Sequence, residues 1–180
     1  YYRCPGACTL LLNGLSAAVM ETQFLLGSDY DVITVTVDPM ETTDLAAGKR
    51  TTYLEPLAKP GINKAHWRFY TGAKETLRRL TSQAGFGYEY DADTLQYIHP
   101  SVLIFLAPDR SVMRYLYGSY FQPDNFEHAL VESGDGTVGT VRQQLITALH
   151  DFGRPETGRR YALNKARVAG VVVSIIALGL

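Results

Sequence analysis

Two cysteines with three residues between them, in YYRCPGACTLLLNGL, are the side chains of this sequence best suited to chemistry. Cys4 and Cys8 stand at i and i+4 just ahead of an apolar helical run. If the second opens that helix, its thiol sits by unpaired backbone N–H groups and the positive end of the dipole, which favours the thiolate. Two such sulfurs can close a reversible disulfide or clamp one soft cation, and Cu(I) is the first-row ion that suits low-coordinate thiolate sites. A neutral imidazole would complete a site of two sulfurs and one nitrogen. Of the four histidines, His99 fits best, because it lies in a loop near Tyr97 and Pro100, just before a strand. His66 precedes the strand of Trp67, His128 is on a helix flank and His150 lies in a linker, so each reads as solvated or structural. Asp38 ends a strand, either as a plain cap or as a carboxylate that supports the ligands.

The elements that must hold these residues follow from periodicity. Leu11, Leu12, Leu15, Ala18 and Val19 recur at helical spacing from Thr9 to about Gln23, so a helix opens at Cys8. In DYDVITVTVDP the β-branched run 32–37 ends at Asp38-Pro39 and reads as a central strand. A helix capped by Thr42 or Thr43 runs past Tyr53 to Leu57, Lys59-Pro60-Gly61 breaks it, and HWRFYTG supplies a strand. Residues 73–84 form another helix, and GFGYEYDADTLQYIHP crosses from strand through loop to His99-Pro100. SVLIFLAPDRSVMRYLYG reads as a hairpin turning at Pro108 to Ser111. A last helix spans 123–133 with Phe126, Leu130 and Val131 inward.

This alternation describes one α/β sheet with an antiparallel edge, the thioredoxin-like arrangement, with an N-terminal strand expected ahead of Cys4. Sites in open α/β sheets form beyond the carboxyl ends of parallel strands. Cys4, Asp38 and His99 should therefore meet at one edge. The expected division is a domain at 1–137, a short helix and polar linker at 138–160, and a transmembrane helix at 161–180.

Seventeen basic against eighteen acidic side chains leave a net charge of −1, which offers no footprint for nucleic acid. The twelve tyrosines cluster in YEYDADTLQY and MRYLYGSY, where half-exposed strands accommodate them as packing residues. The tail VAGVVVSIIALGL carries no charge. Its thirteen residues are short of the about 20 a bilayer requires. Counting Tyr161, Ala162 and Leu163 makes the length adequate, hence the expected span. Arg159, Arg160, Lys165 and Arg167 just before it would, taken alone, place that side in the cytoplasm.

Taken together, YYRCPGACTLLLNGL, VITVTVDPMET, WRFYTG, QYIHP and RYLYG resemble the Sco/SenC family of copper chaperones for cytochrome c oxidase assembly. The resemblance spans roughly Tyr1 to Val131, with the two cysteines, the strand-Asp-Pro and the late His in the family's order. It implies a thioredoxin-like fold, Cys4 and Cys8 as copper-binding and redox thiols, His99 as third ligand to Cu(I) or Cu(II), and Asp38 beside the site. It also implies cytochrome c oxidase subunit II or a related copper protein as partner, and a membrane-anchored domain facing the periplasm or an equivalent space. Many members have Asp-His-Ser/Thr where this chain has Ile98-His99-Pro100. The alternative function is a thiol-disulfide oxidoreductase that keeps the target's cysteines reduced, for which His99 has no use. A peroxidase is disfavoured, because no Thr-x-x-Cys motif is present.

Overall fold

The computed structural model describes residues 1–4 and 6–134. By its contacts the chain divides into a unit of Tyr1–Val138 and a second of Gly139–Leu180. Residues from 135 onward lie outside the described set, including His150 and the linker helix expected within 138–160.

Among the described residues, four α-helices and six strands follow in the order α1 Ala7–Glu21, β1 Val32–Val35, α2 Thr43–Leu54, β2 Trp67–Tyr70, α3 Lys74–Gln83, β3 Glu89–Asp91, β4 Gln96–Ile98, β5 Val102–Leu106, β6 Val112–Tyr117 and α4 Pro123–Gly134. The amphipathic spacing of α1 buries Leu12, Leu15, Ala18 and Val19 on one stripe. These pack with Tyr53 and Leu54 of α2, Trp67 of β2, Phe105 of β5, and Phe126 and Ala129 of α4 in one core. Trp67 is fully buried, and its indole N–H donates to Thr34 Oγ1 at 2.9 Å. That bond satisfies the polar end of the largest core side chain.

β1 and β2 pair in parallel with Val32 opposite Trp67 and Val35 opposite Tyr70. A parallel pair needs a crossover, and α2 supplies it. Thr42 caps α2, its side chain accepting from the Leu45 N–H. β5 and β6 pair antiparallel around the Pro108–Ser111 turn, where Arg110 takes a left-handed φ of 73°. The Arg114 guanidinium then reaches Glu132 of α4 at 2.9 Å.

The single sheet expected from the alternation is, among the described residues, three separate two-stranded ladders: β1–β2, β3–β4 and β5–β6. β1 is not a central strand, since it bonds along one edge only and Ile33 is 58% exposed. Where a strand followed by a loop was expected, β3 and β4 form a hairpin of three-residue strands. Asp91 makes the turn by accepting from the Asp93 N–H at 2.9 Å and the Thr94 hydroxyl at 2.7 Å.

The expectation of a C-terminal transmembrane helix, and with it a membrane partner, is corrected. Among the described residues no helix is long and apolar enough to cross a membrane. Residues 161–180 lie outside that set. Within 161–180, Lys165 and Arg167 interrupt the apolar stretch with charge, which is costly at the centre of a bilayer. Of the expected fold class, the thioredoxin-like α/β domain stands.

Candidate functional site

Cys8 is the second residue of α1 and is buried, while Cys4 is half-buried in the segment before it; both are free. Gly6 caps α1 without a side-chain hydrogen bond, and no acid stands in the first turn. The Cys8 N–H instead points to Cys4 Sγ at 3.5 Å. Sequence reasoning placed the Cys8 thiol at these N–H groups, but the geometry gives that place to Cys4. The first sulfur folds back over the helix start, and Cys8 Sγ turns toward β4.

What Cys8 Sγ meets is His99, whose Nε2 lies 3.4 Å away. β4 ends at Ile98, so His99 leaves the hairpin directly toward the helix start. Its other nitrogen, Nδ1, is 3.0 Å from the carbonyl of Pro100. A carbonyl only accepts, so Nδ1 is the donor there, and in the neutral ring Nε2 presents a lone pair to the sulfur. The ring is held between Phe86, at a centroid distance of 5.7 Å, and Tyr1, at 6.1 Å. The backbone carbonyl of Pro100 thus orients the imidazole.

Asp38 acts first as a strand-end cap: its Oδ1 accepts from the Met40 N–H at 2.8 Å. The Tyr97 hydroxyl donates to the same oxygen at a long 3.5 Å, and the Tyr97 ring packs on Tyr1 at 5.4 Å. The carboxylate therefore reaches His99 only through two aromatic rings. Burial, and then the negative charge of Asp38, push the Tyr97 phenol above its ordinary value, so Tyr97 stays a neutral donor.

Soft sulfur and a bare imidazole nitrogen are in place, yet among the described residues no three His, Cys, Asp or Glu stand close enough to enclose a metal ion. Cys8 and His99 are in direct contact, and Cys4 has its sulfur on the neighbouring N–H. His66 is occupied elsewhere, with Nδ1 at 2.5 Å from Asp31. His128 is half-buried on α4 and its Nδ1 has no hydrogen-bond partner among the described residues. Sequence reasoning missed Glu41, a buried carboxylate that receives the N–H groups of Tyr2 and Arg3 immediately before Cys4. An acid just ahead of a helix cap reads as solvent-facing, so nothing in the sequence signals its burial.

Neither a protein-family model nor a curated protein matches the chain. Among solved structures it is similar to a protein of Aquifex aeolicus VF5 assigned to electron transfer, at 26% identity and a TM-score of 0.64, over 75% of each chain. A second Aquifex aeolicus VF5 structure, assigned to electron transport, matches at 26% identity and a TM-score of 0.60, over 75% of this chain and 77% of that one. Arabidopsis thaliana ScoI, crystallised with copper bound, matches at 19% identity and a TM-score of 0.55, over 76% of this chain and 80% of that one. The resemblance carried by the motifs therefore stands at the level of fold: this chain shares the thioredoxin-like α/β fold of these structures.

Proposed function

We propose that the chain is a copper chaperone that holds Cu(I) between Cys4, Cys8 and His99 and passes it to a recipient copper protein of the cytochrome c oxidase subunit II kind. The observation that carries this reading is His99, whose Nε2 lone pair faces Cys8 Sγ at 3.4 Å while Nδ1 is tied to the Pro100 carbonyl. A dithiol reductase has no need of a third soft-metal ligand beside its thiols. Copper is cargo here. Each thiol gives its proton to solvent as its sulfur takes the ion, and Cys4 moves off the Cys8 N–H to close the set. The copper-bound state of ScoI, which shares the fold, supports the reading.

The second reading is the thiol-disulfide reductase, favoured by the half-buried Cys4 sulfur at a helix start and by the absence of a closed three-ligand group among the described residues. Anaerobic titration against a competing Cu(I) chelator, with X-ray absorption to count ligands, separates them. Reduced protein should bind one equivalent through sulfur and nitrogen, whereas protein oxidised to the disulfide should bind none, since both strong donors are lost. His99→Ala should bind more weakly and without nitrogen, while its dithiol still cycles with a small-molecule reductant. Failure of the reduced protein to take Cu(I) would end the chaperone reading. An unchanged ligand shell in His99→Ala would remove His99 from it.

A further inference from the structure

The segment that carries Cys4 belongs to no helix or strand, so its place must come from anchors. Glu41 supplies the nearest. Its Oε2 accepts from the Tyr2 N–H at 2.8 Å and its Oε1 from the Arg3 N–H at 2.6 Å, so one carboxylate grips two successive amides and the next residue is Cys4. Glu41 is 5% exposed. Burying a carboxylate is costly unless donors surround it. The third donor is the Thr36 hydroxyl, which bonds to Oε2 and in turn accepts from the Asp38 N–H at 3.0 Å. The same carboxylate thus joins the cysteine segment to the turn that follows β1. A separate anchor is the Tyr2 hydroxyl, which donates to the Tyr70 carbonyl at 2.7 Å and lies 3.2 Å from that of Thr34.

An apolar side chain could fill the Glu41 space, but only a carboxylate offers two rigid acceptors matched to consecutive N–H groups. We propose that Glu41 is the positioning residue of the dithiol, fixing where Cys4 Sγ stands relative to Cys8 and His99. This rests on the reading that Cys4 and Cys8 work as a pair. It does not require that they bind copper.

Glu41→Gln tests it, because the amide keeps one acceptor and turns an N–H donor against the other backbone N–H. In reduced, metal-free protein, iodoacetamide labelling of Cys4, mapped by mass spectrometry, should change several-fold while far-UV circular dichroism stays native. Cu(I) affinity should fall by ~10- to 100-fold, the usual effect of removing a residue that orients a ligand. Glu41→Asp, which keeps both acceptors on a shorter arm, should recover part of each. Thr36→Val, which removes only the hydroxyl donor, should shift both in the same direction by less, and serves if Glu41→Gln fails to fold. If Glu41→Gln or Thr36→Val lowers stability and leaves Cys4 labelling unchanged, Glu41 is merely structural and the proposal falls. Should the parent protein bind no Cu(I), the copper reading fails, but the labelling result still decides the role of Glu41.

Discussion

The two ends of α1 are built on opposite plans. Every helix leaves about four N–H groups unpaired at its start and four carbonyls at its end. At the end, Lys59 reaches across from the Lys-Pro-Gly break and its ammonium donates to the carbonyls of Val19, Thr22 and Phe24. Glu127 of α4 accepts from the Gln23 N–H at 2.7 Å and the Thr22 hydroxyl at 3.1 Å. At the start, Gly6 offers no side-chain cap and a free amide goes to Cys4 Sγ. A cation at three C-terminal carbonyls complements the dipole. A sulfur at the N-terminus also complements it, but under the proposed function it leaves to take a metal or a second sulfur. Holding α1 firmly at the end remote from the cysteines lets the reactive end change partners without moving the helix.

The largest effect should come from the middle of α1, which sets where both ends fall. A methyl at Gly14 would stand 2.0 Å from the Ser119 carbonyl oxygen, so Gly14→Ala should destabilise by about 3 kcal/mol through overpacking against backbone. Gly48 of α2 has open space around it, and Gly48→Ala there should stabilise by about 1 kcal/mol. Urea denaturation of the two variants reads both signs. A stabilised Gly14→Ala would mean that α1 does not lie against the Ser119 turn, and the contrast between its ends would lose its frame.

Lys59→Met comes next. Loss of a cation from three carbonyls should reduce stability by about 2 kcal/mol, while Cys4 labelling and Cu(I) affinity stay at parental values. Altered labelling in a folded Lys59→Met protein would show that the two ends are coupled. Unchanged stability would show that water serves those carbonyls as well as the ammonium does.

How far this arrangement was legible in the sequence depends on the range of each signal. Apolar spacing located α1, α2, α3 and α4 to within a few residues, and Asp109 with Pro108 marked the β5–β6 turn, because these signals are local. The β3–β4 hairpin was not legible: three-residue strands are too short to display alternation, and the turn rests on Asp91 bonds and on Leu95 at a φ of 55°. On α4 the expected inward Val131 is 41% exposed, and Ala129 is fully buried in its place. A small residue carries little weight in an apolar stripe. In the site, Cys4, Cys8 and His99 stood out because their types are rare and chemically specific, and the structure sets His99 Nε2 against Cys8 Sγ. Which sulfur faces the helix start depends on a fold-back that spacing alone does not encode. Glu41 and Lys59 were missed for one reason: each is a common charged residue whose partners lie far away in the chain, Tyr2 39 positions from Glu41 and Val19 40 from Lys59.

The smallest expected effect concerns the other half of the α1 end cap. Burial pushes the Glu127 carboxyl up, but bonds from the Gln23 N–H, the Gln23 side chain and the Thr22 hydroxyl outweigh it and hold the group below its ordinary value, with His128 assisting. A carboxyl lowered in the folded state stabilises that state fully above its unfolded value, about 4.3. The contribution is lost as pH falls through the folded value. Glu127→Gln should therefore be less stable than the parent by about 1 kcal/mol at neutral pH, the range of a few partly exposed bonds to a charge. The gap should shrink below about pH 4 and close in stronger acid, where the parent side chain is also neutral. Asp91 and Asp109, both held low by bonds within their own turns, titrate alike in the two proteins and cancel in the difference. Urea denaturation at neutral pH and at a series of acidic values gives that difference directly. A gap that stays constant into acid would mean that the Glu127 charge takes no part in the cap. The ionic reinforcement of the non-reactive end of α1 would then rest on Lys59 alone.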